Sequence, residues 1–444
     1  MCTLLVLWKH LKLFKMSADK NEYEVLKGLL NGTQKNTLSG EVILSCVASK
    51  SKSDLGDASS VYVLHDPCDI RKPYASDMED LGKVLSLEKQ VINGYSSFNS
   101  VAVVPNNQEV HLLDSVVYSN RSADYVSNPK VVHIRNGQGK VGDVLQGQKT
   151  PITAQEYQLV QEDSYQNGTR IAFDQLTKSS KVLKESHPDR CLTHVLDREF
   201  DDEAIFKHID ELGDEFVIRL KLNRLSHQSE KTYTPTGRLS KKVKYKKLKD
   251  KPFAHQSEFV IDAFPHKGKI YPKAKALIEW ESLRLGEKTY QVVRIHLSVG
   301  GKALFQHPMI LLTNRSITTP KEAIQVYKTY ILRFKIEVVF RFLKQQLGWE
   351  SFQVRDFNSI RNLLALVFFL VGYFKELEEE LKEHPLATFL CKLALSKGKV
   401  TIFYLLEGIE KLVIFQEVSR KMKENNITPE QVEEFLKEMQ IARE

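Results

Sequence analysis

Four polar residues with the spacing Y-x2-R-x3-E-x6-K carry the clearest chemical signal in this chain: Tyr330, Arg333, Glu337 and Lys344. On an α-helix, which turns by about 100° per residue, these side chains share one narrow stripe, and Arg341 widens it to about 80°. Apolar residues occupy most of the remaining circumference, as in a helix that is buried in protein. A stripe with a phenol, two guanidiniums, a carboxylate and an ammonium therefore either faces water or lines a functional site.

The residues around this stripe predict a single helix from about 320 to 347. Thr319-Pro320-Lys321-Glu322 supplies an N-cap threonine, a proline at the first helical position and a capping-box glutamate. Gly348 is a typical C-terminal stop. Glu337 is thereby predicted to lie well inside rigid helical backbone, which suits a metal ligand.

Two aspartates are predicted to follow short apolar strands. Asp66 comes soon after Val61–Leu64, and Asp197 comes directly after Leu192–Leu196. Functional groups gather at such strand ends in α/β sheets, although either aspartate alone is more typical of a turn or a helix cap. Together with Glu337, they offer three carboxylates from separate elements, which can hold two divalent cations about 3.5–4 Å apart for phosphodiester chemistry. Oxygen ligands favour Mg²⁺ or Mn²⁺ over zinc.

Basic charge is concentrated in one segment of the chain. The formal net charge is +8, but Arg219–Lys251 contains twelve Lys or Arg residues and two acids, so this segment alone carries +10. Such a cluster is typical of contact with a nucleic-acid backbone, and the alternative is a solvated loop. Within the segment we expect Lys241, Lys242 and Lys244 to bind DNA.

The composition excludes several other classes of protein. Five scattered cysteines without a C-x-x-C pair argue against a disulfide framework or a zinc site and favour a reducing compartment. The longest apolar run, Leu363–Val371, is shorter than the roughly 20 residues of a membrane span and predicts a buried helix. Trp280 and Trp349 are interpreted as packing residues, with stacking on a flipped base as the alternative for Trp280. His65, beside Asp66, is interpreted as incidental, with support of the site as the alternative.

These motifs resemble the signature blocks of DDE-type cut-and-paste bacterial transposases, and the insertion-sequence-four-like group in particular. The blocks are the Y-R-E-K pattern around Glu337, D-R-E-F-D-D from Asp197 and D-P-C-D-I-R-K-P-Y-A from Asp66, within a resemblance that covers about 56–360. It implies that the three acids are catalytic and bind two Mg²⁺ or Mn²⁺ ions. It also implies that Tyr330, Arg333 and Lys344 bind phosphates of the transposon end, and Arg341 is expected to assist them.

The resemblance further implies an α/β fold, with a ribonuclease-H-like catalytic core interrupted by a β-rich insertion and flanked by helical regions. The 140 positions between residues 197 and 337 leave room for that insertion. The expected division is an N-terminal, helical, possibly end-binding region at 1–55, the first part of the core at 56–221, the basic insertion at 222–305, the rest of the core at 306–360 and a helical region at 361–444.

The expected partners are double-stranded DNA, at element ends and target, and a second copy of the chain on that DNA. The expected location is the bacterial cytoplasm at the nucleoid, without membrane attachment. Two alternatives remain open at this stage. One is a metal-dependent nuclease of the same fold that cuts without joining, and the other is a domesticated or decayed transposase that only binds DNA.

Overall fold

A computed structural model describes residues 39–135, 141–233, 239–266, 269–285, 288–381, 383–395 and 400–434, with backbone alone for 135, 141, 226–233, 239–245 and 402. The chain forms two compact units. The first unit comprises the residues up to Phe340 together with Trp349–Leu366. The second unit comprises Arg341–Gly348 and the residues from Val367 onward.

Fifteen strands are assigned within the described residues. They are β1 (Ser60–Arg71), β2 (Gly82–Leu85), β3 (Val91–Val103), β4 (Val110–Tyr118), β5 (Val131–Arg135), β6 (Val141–Leu145), β7 (Cys191–Leu196), β8 (Glu215–Arg219), β9 (Leu225–Tyr233), β10 (Leu239–Lys247), β11 (His255–His266), β12 (Lys269–Leu285), β13 (Lys288–Val299), β14 (Lys302–Ala303) and β15 (Met309–Thr313).

The α-helices assigned within the same ranges are α1 (Gly40–Leu55), α2 (Ala154–Gln161), α3 (Gly168–Lys184), α4 (Glu203–Glu211), α5 (Pro320–Ile331), α6 (Phe334–Gln345), α7 (Phe357–Leu381), α8 (Pro385–Leu393) and α9 (Ile402–Glu424). Strands β11, β12 and β13 are long and lie within residues 222–305, for which a β-rich segment is expected. The α/β class is confirmed.

One large mixed sheet organises the first unit, in the order β11-β12-β13-β15-β8-β7-β1-β3-β2, with β4 also on β3 and β14 also on β13. Among the described strands of this sheet, β1 pairs parallel with β7 and β7 with β8, and the other pairs are antiparallel. The parallel strands are buried almost throughout, as expected where both faces of a sheet are covered. Separate from this sheet, β9 and β10 form a two-stranded ribbon, as do β5 and β6.

A large apolar core forms between the sheet and helices α3 and α4. Leu176 of α3 and Phe206 of α4 belong to one buried cluster with Phe216 and Ile218 of β8. Helix α5 contacts β7, β8, β12, β13 and β15 instead. The tryptophans were interpreted correctly as packing residues, since Trp280 is 5% exposed and Trp349 is 2% exposed.

The second unit contains a small helical core. Leu390 and Cys391 of α8 pack with Leu405 of α9. The two helices approach so closely that a Cβ added at Gly408 would lie 2.0 Å from the carbonyl oxygen of Leu390, so only glycine fits there. Among the described helices, α7 alone is long and apolar enough to span a membrane by length and composition, and 61% of its most apolar window is buried within the protein.

Candidate functional site

The register of the parallel strands brings Asp66 and Asp197 to neighbouring positions. Ser60–Leu64 of β1 pair with Cys191–Val195 of β7, an offset of 131 positions. Continued by two residues, the same offset puts position 66 opposite position 197. Since side chains alternate between the faces of a strand, the two carboxylates lie on the same face of the sheet.

Asp197 follows β7 directly, as predicted, and precedes the short 3₁₀ turn Arg198–Phe200. The corresponding prediction for Asp66 is wrong, because β1 does not end before it but continues to Arg71. The continuation is held by antiparallel pairing with β3, which runs on through Asp66↔Asn99 and Pro67↔Phe98. Asp66 therefore lies at the end of the parallel pairing but inside the strand.

The predicted single helix over about 320–347 is also wrong, because it is divided into α5 and α6. Around Arg333 the backbone makes three-residue hydrogen bonds, from Arg333 N to Tyr330 O at 3.0 Å and from Ile336 N to Arg333 O at 3.1 Å. This tighter 3₁₀ winding ends one α-helix and starts the next. The predicted capping box at Thr319 and Glu322 is confirmed at the start of α5.

The junction between α5 and α6 places its polar side chains on the two aspartates. The Tyr330 hydroxyl donates a hydrogen bond to Asp197 Oδ1 at 2.9 Å. Arg333 bridges two acids, with Nη1 2.9 Å from Asp66 Oδ1 and Nη2 3.1 Å from Glu337 Oε1. The structure thus brings Asp66, Asp197 and Glu337 around Tyr330 and Arg333.

The charges of the three acids in this cluster also affect one another. Burial raises the pKa of Asp66 to about 7; the charge of Arg333 opposes this, and the charges of Asp197 and Glu337 reinforce it. Burial and the negative charge of Asp197 raise the pKa of Tyr330 to about 12. Burial by itself lowers the pKa of Arg333, but the surrounding negative charges outweigh it and the net shift is upward. Tyr330 and Arg333 therefore remain protonated donors.

The acids suit a hard divalent cation in chemistry, because each offers carboxylate oxygens. No group of three His, Cys, Asp or Glu side chains is close enough to hold a metal ion among the residues that the structure describes. The cation between Asp66 and Glu337 is the guanidinium of Arg333. Their carboxylate oxygens are ligands that Mg²⁺ or Mn²⁺ prefers. In this structure, Arg333 compensates the negative charge of Asp66 and Glu337.

The other predicted DNA-binding residues lie on α6 and β10. Arg341 is exposed and Lys344 half-buried on α6, and both belong to the second unit. Lys241, Lys242 and Lys244 lie on β10, paired antiparallel with β9, and their side chains lie outside the described part. For these five residues, binding to DNA stays a prediction.

Sequence reasoning missed two neighbours of the aspartates. Arg219 ends β8, the third parallel strand, and its Nη1 lies 3.9 Å from Asp197 Oδ1. Its position at a strand end next to β7 was the available signal. The other neighbour is His65, whose side chain is fully buried and hydrogen-bonded to Ser100 and His194. Its position beside Asp66 was the only signal in the sequence, and that signal left open whether His65 supports the site.

Comparison with known proteins gives one family. Residues 173–371 match the model of the transposase DDE domain family. Asp197 and Glu337 lie inside the matched range, and Asp66 lies before it. A comparison with curated proteins finds no match. The family match supports a DDE transposase.

Proposed function

We propose that the protein is a DNA transposase that cleaves the ends of a DNA element and joins the freed 3′-hydroxyl to target DNA. Asp66, Asp197 and Glu337 are the proposed catalytic carboxylates. The observation that carries the proposal is their gathering around Arg333, with two of the three acids inside the range that matches the transposase DDE domain. We place the chain in the insertion-sequence-four-like group on its Y-R-E-K spacing.

The strand order supports a ribonuclease-H-like core within this proposal. Three antiparallel strands, β4, β3 and β1, are followed in the sheet by the parallel strands β7 and β8. In the proposed division, the residues at 222–305 are the insertion, which separates β8 from the helix pair α5 and α6. After the insertion, the chain re-enters the core as β15, which pairs with β8 next to the site.

Divalent metal ions are part of the proposed chemistry. Bound by Asp66, Asp197 and Glu337, two Mg²⁺ or Mn²⁺ ions would activate a water molecule or a 3′-hydroxyl and stabilise the leaving oxygen of the phosphodiester. The chain's own groups have separate tasks. Tyr330 holds Asp197 in one orientation through its hydroxyl, and Arg333 offers a planar fork that suits carboxylate and phosphate oxygens alike.

DNA is the proposed substrate, in keeping with the family match and with the charge distribution. Phosphate contacts from the +10 segment Arg219–Lys251 would supply affinity independent of sequence. Tyr330 and Arg333 would bind phosphates near the cleaved bond, and Arg341 and Lys344 are proposed as further DNA-binding residues. We further propose that two copies act together on a pair of element ends, in the bacterial cytoplasm at the nucleoid.

A cleavage and joining assay tests this function. The purified protein is incubated with end-labelled DNA from both flanks of its coding sequence, including any inverted repeats. With Mg²⁺ we expect a nick that leaves a 3′-hydroxyl at an element end, followed by covalent joining to a target plasmid, and neither product in EDTA. Cutting without joining would instead indicate the nuclease. Binding without cutting, in Mg²⁺ and in Mn²⁺, would indicate a DNA-binding protein and overturn the proposal.

A further inference from the structure

A row of buried polar side chains crosses four adjacent strands on the face of the sheet opposite the candidate site. It consists of His194 on β7, His65 on β1, Ser100 on β3 and Asp114 on β4, and each is at most 2% exposed. His65 and Ser100 are direct cross-strand partners, and so are Ser100 and Asp114. Polar groups buried this deeply are costly unless they are hydrogen-bonded, so their partners matter.

The row forms one continuous chain of contacts. His194 Nε2 lies 3.1 Å from Asp214 Oδ2, and His194 Nδ1 lies 2.9 Å from His65 Nε2. His65 Nδ1 lies 2.8 Å from Ser100 Oγ. Gln175 of α3 completes the chain, because its Oε1 lies 3.3 Å from Ser100 Oγ and its Nε2 lies 2.7 Å from Asp114 Oδ2.

The chemistry of these groups fixes the direction of the hydrogen bonds. The Asp114 carboxylate can only accept, so it is the Gln175 amide nitrogen that faces it and the amide oxygen that faces Ser100. Ser100 must donate to that oxygen and can then only accept from His65. His65 therefore carries its proton on Nδ1 and leaves Nε2 as an acceptor for His194.

The charges at both ends of the chain are compensated. Asp214 is paired with Lys184 at 2.6 Å, and Asp114 with Lys178 at 2.6 Å. Although burial acts to raise the pKa of Asp214, its bonds to His194 and Lys184 lower it overall, so the carboxylate is ionised. His194 lies between two acceptors, Nε2 of His65 and the Asp214 carboxylate.

The row lies directly behind the two aspartates. His65 and Asp66 are consecutive on β1 and so point to opposite faces, and His194 is three positions before Asp197. The row thereby ties β1 to β7 at the point where their parallel pairing ends. Helix α3 is connected to the row by the contact of Gln175 with Ser100. The residue before β8, Asp214, is connected to it by the contact with His194.

We propose that four members of this hydrogen-bonded chain, His194, His65, Ser100 and Gln175, act as a positioning device, which holds the backbone of Asp66 and Asp197 in register for catalysis. The inference rests on the function proposed above. None of the four residues touches substrate, so each acts only through the placement of the aspartates. A loss of about 10- to 100-fold in activity is typical when residues that orient catalytic ligands are removed.

The first test is spectroscopic and needs no activity. In the full chain labelled with ¹⁵N-histidine, long-range ¹H–¹⁵N correlation near pH 7.5, with signals assigned from His65→Gln and His194→Gln, reads the protonation of each ring nitrogen. We expect His65 to carry a proton on Nδ1, toward Ser100, and none on Nε2. A proton on Nε2 of His65 would overturn the directed row.

The second test compares two ways to break the row with a matched packing variant. Ser100→Ala and Gln175→Leu should each slow single-turnover cleavage by about 10- to 100-fold with unchanged DNA affinity, and the double variant should be no slower than the worse single one. Val63→Ala is the control, because Val63 is a fully buried neighbour on the same face of β1 within an apolar cluster.

The control separates positioning from general loss of stability. At equal thermal stability, which temperature can adjust, Val63→Ala should cleave at nearly the wild-type rate. Equal slowing by Val63→Ala, or fully additive effects of the two row variants, would overturn the positioning role. Failure of the wild type itself to cleave would refute the proposed function and the positioning role with it, whereas the histidine spectrum would still decide the direction of the row.

Discussion

Arg333 Nη1 lies 2.9 Å from Asp66 Oδ1, and this contact joins the helix junction to the end of the parallel sheet. The guanidinium also reaches Glu337 through its other terminal nitrogen. Both groups of the Arg333–Asp66 pair are largely buried, with side-chain exposures of 7% and 14%. Removal of one partner from such a pair leaves an uncompensated charge, so the pair must be tested by single and double substitution.

Arg333→Met should lower the free energy of unfolding by about 3 kcal/mol in the absence of divalent cations, because it leaves Asp66 buried without its counter-charge. Asp66→Asn in the same background should recover part of this loss. Urea unfolding near pH 8 of the wild type, both single variants and the double variant measures the coupling. Lys207→Met, in an exposed pair with Glu211, is the control and should change stability by less than about 1 kcal/mol. Additive effects at Arg333 and Asp66 would contradict the pairing.

Asp66→Ala, Asp197→Ala and Glu337→Ala should each reduce strand cleavage in Mg²⁺ by at least about 100-fold, the range typical for loss of one electrostatic catalytic group. Binding to element ends should change little, because other positive charges supply most of the affinity. Glu203→Ala removes an exposed carboxylate on α4 and serves as the control. Cleavage near the wild-type rate by any of the three variants would remove that residue from the catalytic set.

Much of the fold was predictable because its local signals agree with its tertiary structure. The apolar run Leu192–Leu196 predicted β7, and the capping box predicted the start of α5. The extension of β1 was missed because Pro67 reads as a strand terminator. A proline is tolerated there because β1 is no longer paired with β7 beyond Leu64, so that edge needs no ladder hydrogen bond.

The candidate site was predictable in its residues but not in its contacts. Neither proline nor glycine marks the break between α5 and α6, so the sequence pattern gave no sign of the 3₁₀ junction that turns Arg333 toward Asp66. Similarly, the hydrogen-bonded chain behind the aspartates includes residues from four separate elements, namely His65, Ser100, Gln175 and His194. Their spacing in the sequence carries no signal, because only the register of the sheet brings them together.

Neutralising Lys241, Lys242, Lys244 and Lys246 with glutamine should weaken DNA binding independently of sequence. If all four contact phosphates, the slope of log K against log salt should become shallower by about 3–4 units, at about 0.9 per contact. Binding measured across a series of salt concentrations gives the slope. The control replaces Lys50, Lys52, Lys207 and Lys288, each already paired with a carboxylate. An unchanged slope in the β10 variant alone would show that these lysines form only a solvated surface.

Arg333→Lys retains the positive charge but loses the planar fork that reaches Asp66 and Glu337 together. Affinity for element ends should therefore stay nearly normal, whereas the rates of cleavage and joining should fall. A displacement of about 1 Å in a reacting group can cost on the order of 100-fold in rate, which sets the expected scale. Single-turnover cleavage on pre-assembled protein–DNA complexes is the measurement, because it excludes differences in binding.

Arg361→Lys provides the matched control, since Arg361 is an exposed arginine on α7 outside the cluster. It should cleave at the wild-type rate. If the Y-R-E-K stripe were an ordinary solvated face, a lysine would serve equally well at position 333 and the two variants would behave alike. If Arg333→Lys binds normally but cleaves slowly, then cleavage depends on the fork geometry of the arginine, because the wild type and the variant carry the same charge at position 333. Wild-type rates in Arg333→Lys would exclude the positioning of a reacting phosphate or carboxylate by this residue.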